Sequence, residues 1–237
     1  MLSRRTMVKA GITTLVSLAS VNHVVSLAQE GTPDASVGEV SNLHHYNLPE
    51  LPEATAGEIE VVLSGYGDGR SAGVVIHNAT DSTVGLDEVS GIARGADGSL
   101  FAVSDNSILA PYVIEPGEYA TGLVSFDKDL LPNVEITFEV KTETPGSGWI
   151  EILDLPVIEA DVDGSNVIGI VENNTDQVAS SLVAVVGVFF DDGEVAGWFR
   201  TYLNDGVDPG GIGTFSTRSI DGYPTDSWAM AASGWAG

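Results

Sequence analysis

The sequence predicts an all-β chain of two antiparallel β-sandwich domains in tandem, on three observations. Short runs alternate apolar and polar residues with the period of a strand, as in Glu58-Ile59-Glu60-Val61 and Glu135-Ile136-Thr137-Phe138-Glu139-Val140. Turn signals punctuate these runs, with Asp-Gly at 97–98 and 192–193 and Pro-Gly at 116–117 and 209–210. No segment sustains a paired helical period, and 28 glycines in 237 residues weigh against long helices. An interior helical glycine costs about 1 kcal/mol relative to alanine. Many short strands between such turns bury one face each by packing as two sheets, in the immunoglobulin-like or a related arrangement.

Residues 1–28 have the order of a cleavable export signal. Arg4, Arg5 and Lys9 precede a weakly apolar stretch that ends in Ser26-Leu27-Ala28, and no acid occurs before Glu30. No continuous apolar run reaches the 18 residues or more of a membrane span. The segment Ser3-Arg4-Arg5-Thr6-Met7-Val8-Lys9 resembles the twin-arginine signal family, with Met7 and Val8 where that family has an aromatic residue and leucine. The resemblance implies export of an already folded chain to a secreted or extracytoplasmic location. Residues 29–57 carry prolines and glycines without a sustained period and are expected to form a flexible linker, gaining order near Val40 to Leu51.

The rest of the chain is most informative when set against itself. An offset of 95 residues places Val75-Ile76 on Ile170-Val171, Asn78 on Asn173, and Thr80-Asp81 on Thr175-Asp176. An offset of 93 places Glu115-Pro116-Gly117 on Asp208-Pro209-Gly210. The expected first domain spans 58–141, with strands at 58–64, 72–78, 84–94, 99–104, 119–126 and 134–141. Residues 142–154, opening on Thr-Glu-Thr-Pro-Gly-Ser-Gly, form the expected interdomain linker. The expected second domain spans 155–237, with strands at 156–162, 167–172, 178–190, 194–203 and 211–218 and a weaker one near Trp228. The run from Leu182 to Phe190 is apolar throughout, so it is expected to be covered on both faces or to lie at a domain contact.

The second copy also resembles the FxLYD family of small extracellular β-sandwich domains. The residues concerned are Val171-Glu172-Asn173-Asn174-Thr175-Asp176, then Phe189-Phe190-Asp191-Asp192-Gly193, then Asp208-Pro209-Gly210 and Phe215. The first copy keeps Asn78-Ala79-Thr80-Asp81, Asp97-Gly98 and Pro116-Gly117, but has Ala93-Arg94-Gly95 in place of the aromatic pair. The resemblance implies a fold and an exported setting, and it supplies no catalytic residue.

Charge narrows the partners. Nine basic residues face 34 acidic ones, a formal net charge of -25, and three of the nine lie in the leader. Such a surface repels phosphate backbones and anionic lipid, which excludes nucleic acid as an expected partner. With no cysteine, the chain can form no disulfide and no thiolate metal site.

A search for chemistry finds no metalloprotease, nucleophile-elbow, phosphate-loop or dinucleotide motif. His44 and His45 are adjacent on an extended segment and point to opposite sides, and His77 is expected as an exposed strand-end residue. Asp161-Val162-Asp163-Gly164 and Asp191-Asp192-Gly193-Glu194 offer hard oxygens, but neither has the spacing of a calcium loop. Asn78-Ala79-Thr80 and Asn173-Asn174-Thr175 are formal glycan acceptors that read better as side-chain-bonded turns. Trp149, Trp198, Trp228, Trp235, Tyr202 and Tyr223 would fill cores or, if exposed in a row, bind sugars or protein. Trp198 and Phe199 point to opposite faces of a regular strand, so one of them should leave its domain's core.

The expectation is an exported, non-enzymatic accessory or binding module, without catalytic, cofactor-binding or metal residues and without a cofactor. Its expected partner is a protein or a cell-envelope glycan. The alternatives are a secreted carbohydrate-binding protein or hydrolase, or a calcium-stabilised surface structural protein.

Overall fold

The computed structural model describes residues 42–236, apart from 67, 68, 148–150, 164, 181, 204 and 218–221. The leader expected over 1–28, the first part of the linker and Trp149 lie outside the described residues. Fifteen strands and no helix form among the described residues, and every pairing is antiparallel. The first eight are β1 (His44–Tyr46), β2 (Ile59–Tyr66), β3 (Ser71–Asn78), β4 (Val84–Arg94), β5 (Leu100–Ala110), β6 (Val113–Ile114), β7 (Tyr119–Phe126) and β8 (Glu135–Glu143). The remaining seven are β9 (Ile152–Leu155), β10 (Val157–Asp163), β11 (Asn166–Glu172), β12 (Ala184–Asp191), β13 (Glu194–Tyr202), β14 (Ile212–Ser216) and β15 (Trp228–Trp235).

These strands build three sheets. One runs β2-β3-β7-β5-β4-β6, with β8 also on β4; the second runs β1-β15-β12-β13, with β9 also on β15; the third is β10-β11-β14. β5 pairs with β4 through Leu100–Val103 and with β7 through Ser104–Ala110, so the seven-stranded sheet folds over along this strand. Its two halves enclose a cluster that includes Val74, Ile76, Val89, Ala93, Val124 and Phe126. The five- and three-stranded sheets enclose a second cluster around Val171, Val185, Phe189, Phe199, Phe215 and Met230.

A third cluster joins the two assemblies. Val75 and Leu123 of the folded sheet pack on Val186, Val188, Phe190 and Ala229 of the five-stranded sheet. The Thr121 hydroxyl crosses this seam and donates to the Val186 carbonyl oxygen at 3.0 Å. β12 therefore needs no polar face: Val185 and Phe189 point one way, Val186, Val188 and Phe190 the other, and both sides are covered. Trp198 and Phe199 divide in the same manner, Trp198 against the seam and Phe199 in the second cluster. All described residues belong to one compact unit.

Two turns repeat bond for bond. Asn78 Nδ2 donates to Ser82 O at 2.9 Å and Ile114 O at 3.1 Å, while its Oδ1 accepts from Thr80 N at 3.1 Å and Thr80 Oγ1 at 2.6 Å. Asn173 Nδ2 donates to Gln177 O and Val207 O, both at 2.8 Å, and its Oδ1 accepts from Thr175 N at 3.1 Å and Thr175 Oγ1 at 2.7 Å. The main chain of each asparagine is then tied to a Pro-Gly turn. Gly117 N donates to Asn78 O and Gly210 N to Asn173 O, while Asn78 N and Asn173 N donate to Glu118 O and Gly211 O. Gly117 and Gly210 have φ of 83° and 69°, in the left-handed region where a Cβ would clash with the backbone. Both asparagines are fully buried, so each side-chain amide is committed to its turn.

Residues 42–57, the later part of the segment read as a linker, are docked. Leu43, Leu51 and Ala54 are buried, and β1 pairs with β15. The Ala54 N–H donates to His77 Nδ1 at 2.8 Å, and the His77 ring stacks on Tyr119 at 4.3 Å. His77 is thus buried at 5% exposure, correcting the expectation of an exposed strand end. Burial lowers its pKa, against the raising charge of Glu53 and a backbone hydrogen bond at Gly117. The histidine works as a neutral acceptor that fastens this segment to β3.

Candidate functional site: a cleft at the seam

Beside the seam the folded sheet and the five-stranded sheet diverge and leave a cleft of about 430 Å³. One wall carries Asp87 from β4, Asn106 and Ser107 from β5, and Tyr112. The other carries Leu182, Tyr202 from the end of β13 and Trp235 from the end of β15. β12 brings the last two together, since Ala184 pairs with Tyr202 on one side and Ser233 on the other. Trp235 and Tyr202 remain 43% and 42% exposed, and Leu182 is exposed beside them. The Arg200 guanidinium stands 5.7 Å from the Tyr202 ring centroid, a cation–π contact that restrains the ring.

A polar staple holds two of the lining residues, Tyr112 and Ser233. Asp154 Oδ1 accepts from the Ser233 hydroxyl and from Tyr112 N at 2.6 Å, and Oδ2 accepts from Val113 N at 2.8 Å. One carboxylate thereby ties β9 to β15 and to the start of β6. Burial raises its pKa, against the lowering effect of the Ser233 hydroxyl and the two backbone N–H groups, with the Glu118 charge adding to the rise. The Tyr112 hydroxyl donates to the Glu143 carboxylate. Burial first, then that hydrogen bond and the charges of Glu143, Asp87 and Asp154, raise the phenol pKa, so Tyr112 stays neutral and can donate but not act as a phenolate.

Of the aromatic residues singled out in the sequence, the structure brings Trp235 and Tyr202 to one cleft. Trp228 is buried and stacks with His44 at 5.7 Å and Tyr46 at 6.2 Å, and Tyr223 stacks on Phe189 at 5.7 Å. His44 and His45 both have lowered pKa values from burial, with mutual repulsion also lowering His44 and a backbone hydrogen bond at Val157 opposing it. Asp191, Asp192 and Glu194 are exposed at the β12–β13 hairpin. Gly164 and the Asp163 side chain lie outside the described residues. No group of three or more acidic, histidine or cysteine side chains is poised around a metal among the described residues. Among them, too, no helix is long and apolar enough to cross a membrane.

No family model and no curated protein matches the chain. The site therefore rests on its own chemistry. Asp87, Asn106, Ser107 and Tyr112 were not prominent in the sequence, because nothing local marks residues that face a wall built about 100 positions downstream. The arrangement offers two aromatic faces, an amide, hydroxyls and one carboxylate among the described lining residues, a set suited to holding a ligand with both apolar and hydroxylated surfaces.

Proposed function

We propose that the protein is an exported, non-enzymatic binding module of two tandem β-sandwich repeats, which holds a neutral, sugar-like ligand in the seam cleft. The observation that carries this reading is the pair Trp235 and Tyr202, left exposed on one wall opposite Asn106, Ser107 and Asp87. Aromatic faces take the C–H surface of a pyranose while amide and carboxylate groups take its hydroxyls. A neutral ligand suits a chain of net charge -25 better than a phosphorylated or sulfated one. The matching asparagine turns support the two-repeat reading and agree with an FxLYD-like relationship, and the basic start with Arg4 and Arg5 supports export.

Isothermal titration of the chain without residues 1–28 against neutral and acidic oligosaccharides tests the proposal. Binding of a neutral oligosaccharide is expected, lost in Trp235→Ala and kept in Ile212→Ala, a change at an exposed residue of the remote three-stranded sheet. Absence of any saccharide binding at millimolar concentration, or binding that survives Trp235→Ala, overturns it.

A further inference from the structure

The two halves of the fold treat one sheet edge differently. β4 is flanked by β5 and β8, and β12 is flanked in the same way by β13 and β15. The far side of β15 is covered along its length, by β1 at Trp228–Met230 and by β9 at Ala232–Trp235. β8 stands in the corresponding place and pairs only with β4 among the described residues. Among the described residues, a nine-residue strand is thus left with one row of backbone donors and acceptors open.

Two of the features that protect such an edge, an inward-pointing charge and a proline, are missing from the strand. Ile136, Phe138 and Val140 point inward without a charge among them, and β8 contains no proline. Between β8 and the edge of β2 lies a groove of about 270 Å³, lined by residues 59–64 and those three side chains. The outward row carries the exposed Glu135 and Glu139, with Glu143 at the strand end committed to the Tyr112 and Ser147 hydroxyls, while Lys141, the one cation in the strand, is bonded to Glu88.

We infer that the free edge of β8 is a docking site for an extended, basic segment of another protein, added as a further strand. Backbone groups of the added strand pair with those of β8, alternate apolar residues enter the groove, and the intervening lysines or arginines face the glutamate row. A second copy of this chain fits poorly as the occupant. Its own β8 would bring a matching glutamate row, and it has only nine basic residues against 34 acidic ones. The groove shares no lining residue with the seam cleft, and the inference does not depend on the saccharide reading.

The test uses the chain without residues 1–28 and two fluorescent nonapeptides, one alternating lysine with valine and one alternating glutamate with valine, read by anisotropy at moderate salt. The lysine peptide is expected to bind at least tenfold more tightly and to protect amides of 135–143 from hydrogen exchange. In the double variant Glu135→Lys, Glu139→Lys that preference is expected to reverse. The double variant Glu159→Lys, Asp161→Lys, with the same charge change on the remote β10, is expected to keep the preference. Binding of neither peptide, equal loss in both variants, protection outside 135–143, or a dimer that excludes the peptide from β8 would each overturn the inference.

Discussion

Asn173→Ala removes the centre of one clasp and leaves the other untouched. The substitution deletes two donors to carbonyl oxygens and one acceptor shared by two donors, all at 2.7 to 3.1 Å. A net intramolecular hydrogen bond is worth about 1 kcal/mol, and a buried group left unpaired costs about 1–3 kcal/mol. The Thr175 hydroxyl is only half-buried and regains water, whereas the Val207 carbonyl loses a buried side-chain partner. The expected loss is about 3 kcal/mol, which for a domain of this size lowers Tm by about 6–12 °C. Urea unfolding followed by circular dichroism measures it, with the midpoint falling and the slope unchanged. Asn78→Ala should cost a similar amount, because its four side-chain bonds match those of Asn173. A loss below about 1 kcal/mol in both variants would refute the idea that the clasps hold the strand ends together.

Gly187→Ala should destabilise by about 1–3 kcal/mol, the usual range for overpacking a core, because an added Cβ would stand 2.3 Å from the Phe199 ring and 2.9 Å from the Ala229 carbonyl oxygen. Thermal melts check it, and a neutral result would show that β12 can shift away from β13. Asp154 has a folded pKa above its unfolded value, so the native state holds its proton more tightly and stability declines as pH rises through the raised pKa. Wild type should therefore lose Tm relative to Asp154→Asn as pH rises above the ordinary aspartate value of 3.8. A gap that is constant, or that moves the other way, would mean that the three hydrogen bonds outweigh burial.

The all-β character was legible because it is written in local signals. Alternation at Glu135–Val140, and the Asp-Gly and Pro-Gly corners, place strands without reference to the rest of the chain. The Asp192-Gly193 corner takes left-handed angles at both residues, φ 48° and 85°, as a two-residue hairpin demands. The elements that escaped notice owe their form to distant partners. β1 is three residues long and exists because β15 offers it an edge, and β9 occupies the rest of that edge. β5 runs six residues beyond the strand expected over 99–104 because it changes partners at Ser104 and continues along β7. Val178–Val183 reads as strand from its side chains, yet β12 begins at Ala184, with Ala179 instead bridging Val207 and Ala236. The cleft was the least legible feature. Trp235 and Tyr202 were visible as aromatics, but their exposure depends on where two sheets part company.

Differential scanning calorimetry of the chain without residues 1–28 tests the central claim, that the Val-rich seam fuses both assemblies into one cooperative body and thereby fixes the cleft. A single transition is expected, with calorimetric and van't Hoff enthalpies equal. Two resolved transitions, one shifted by Asn78→Ala and the other by Asn173→Ala, would contradict it.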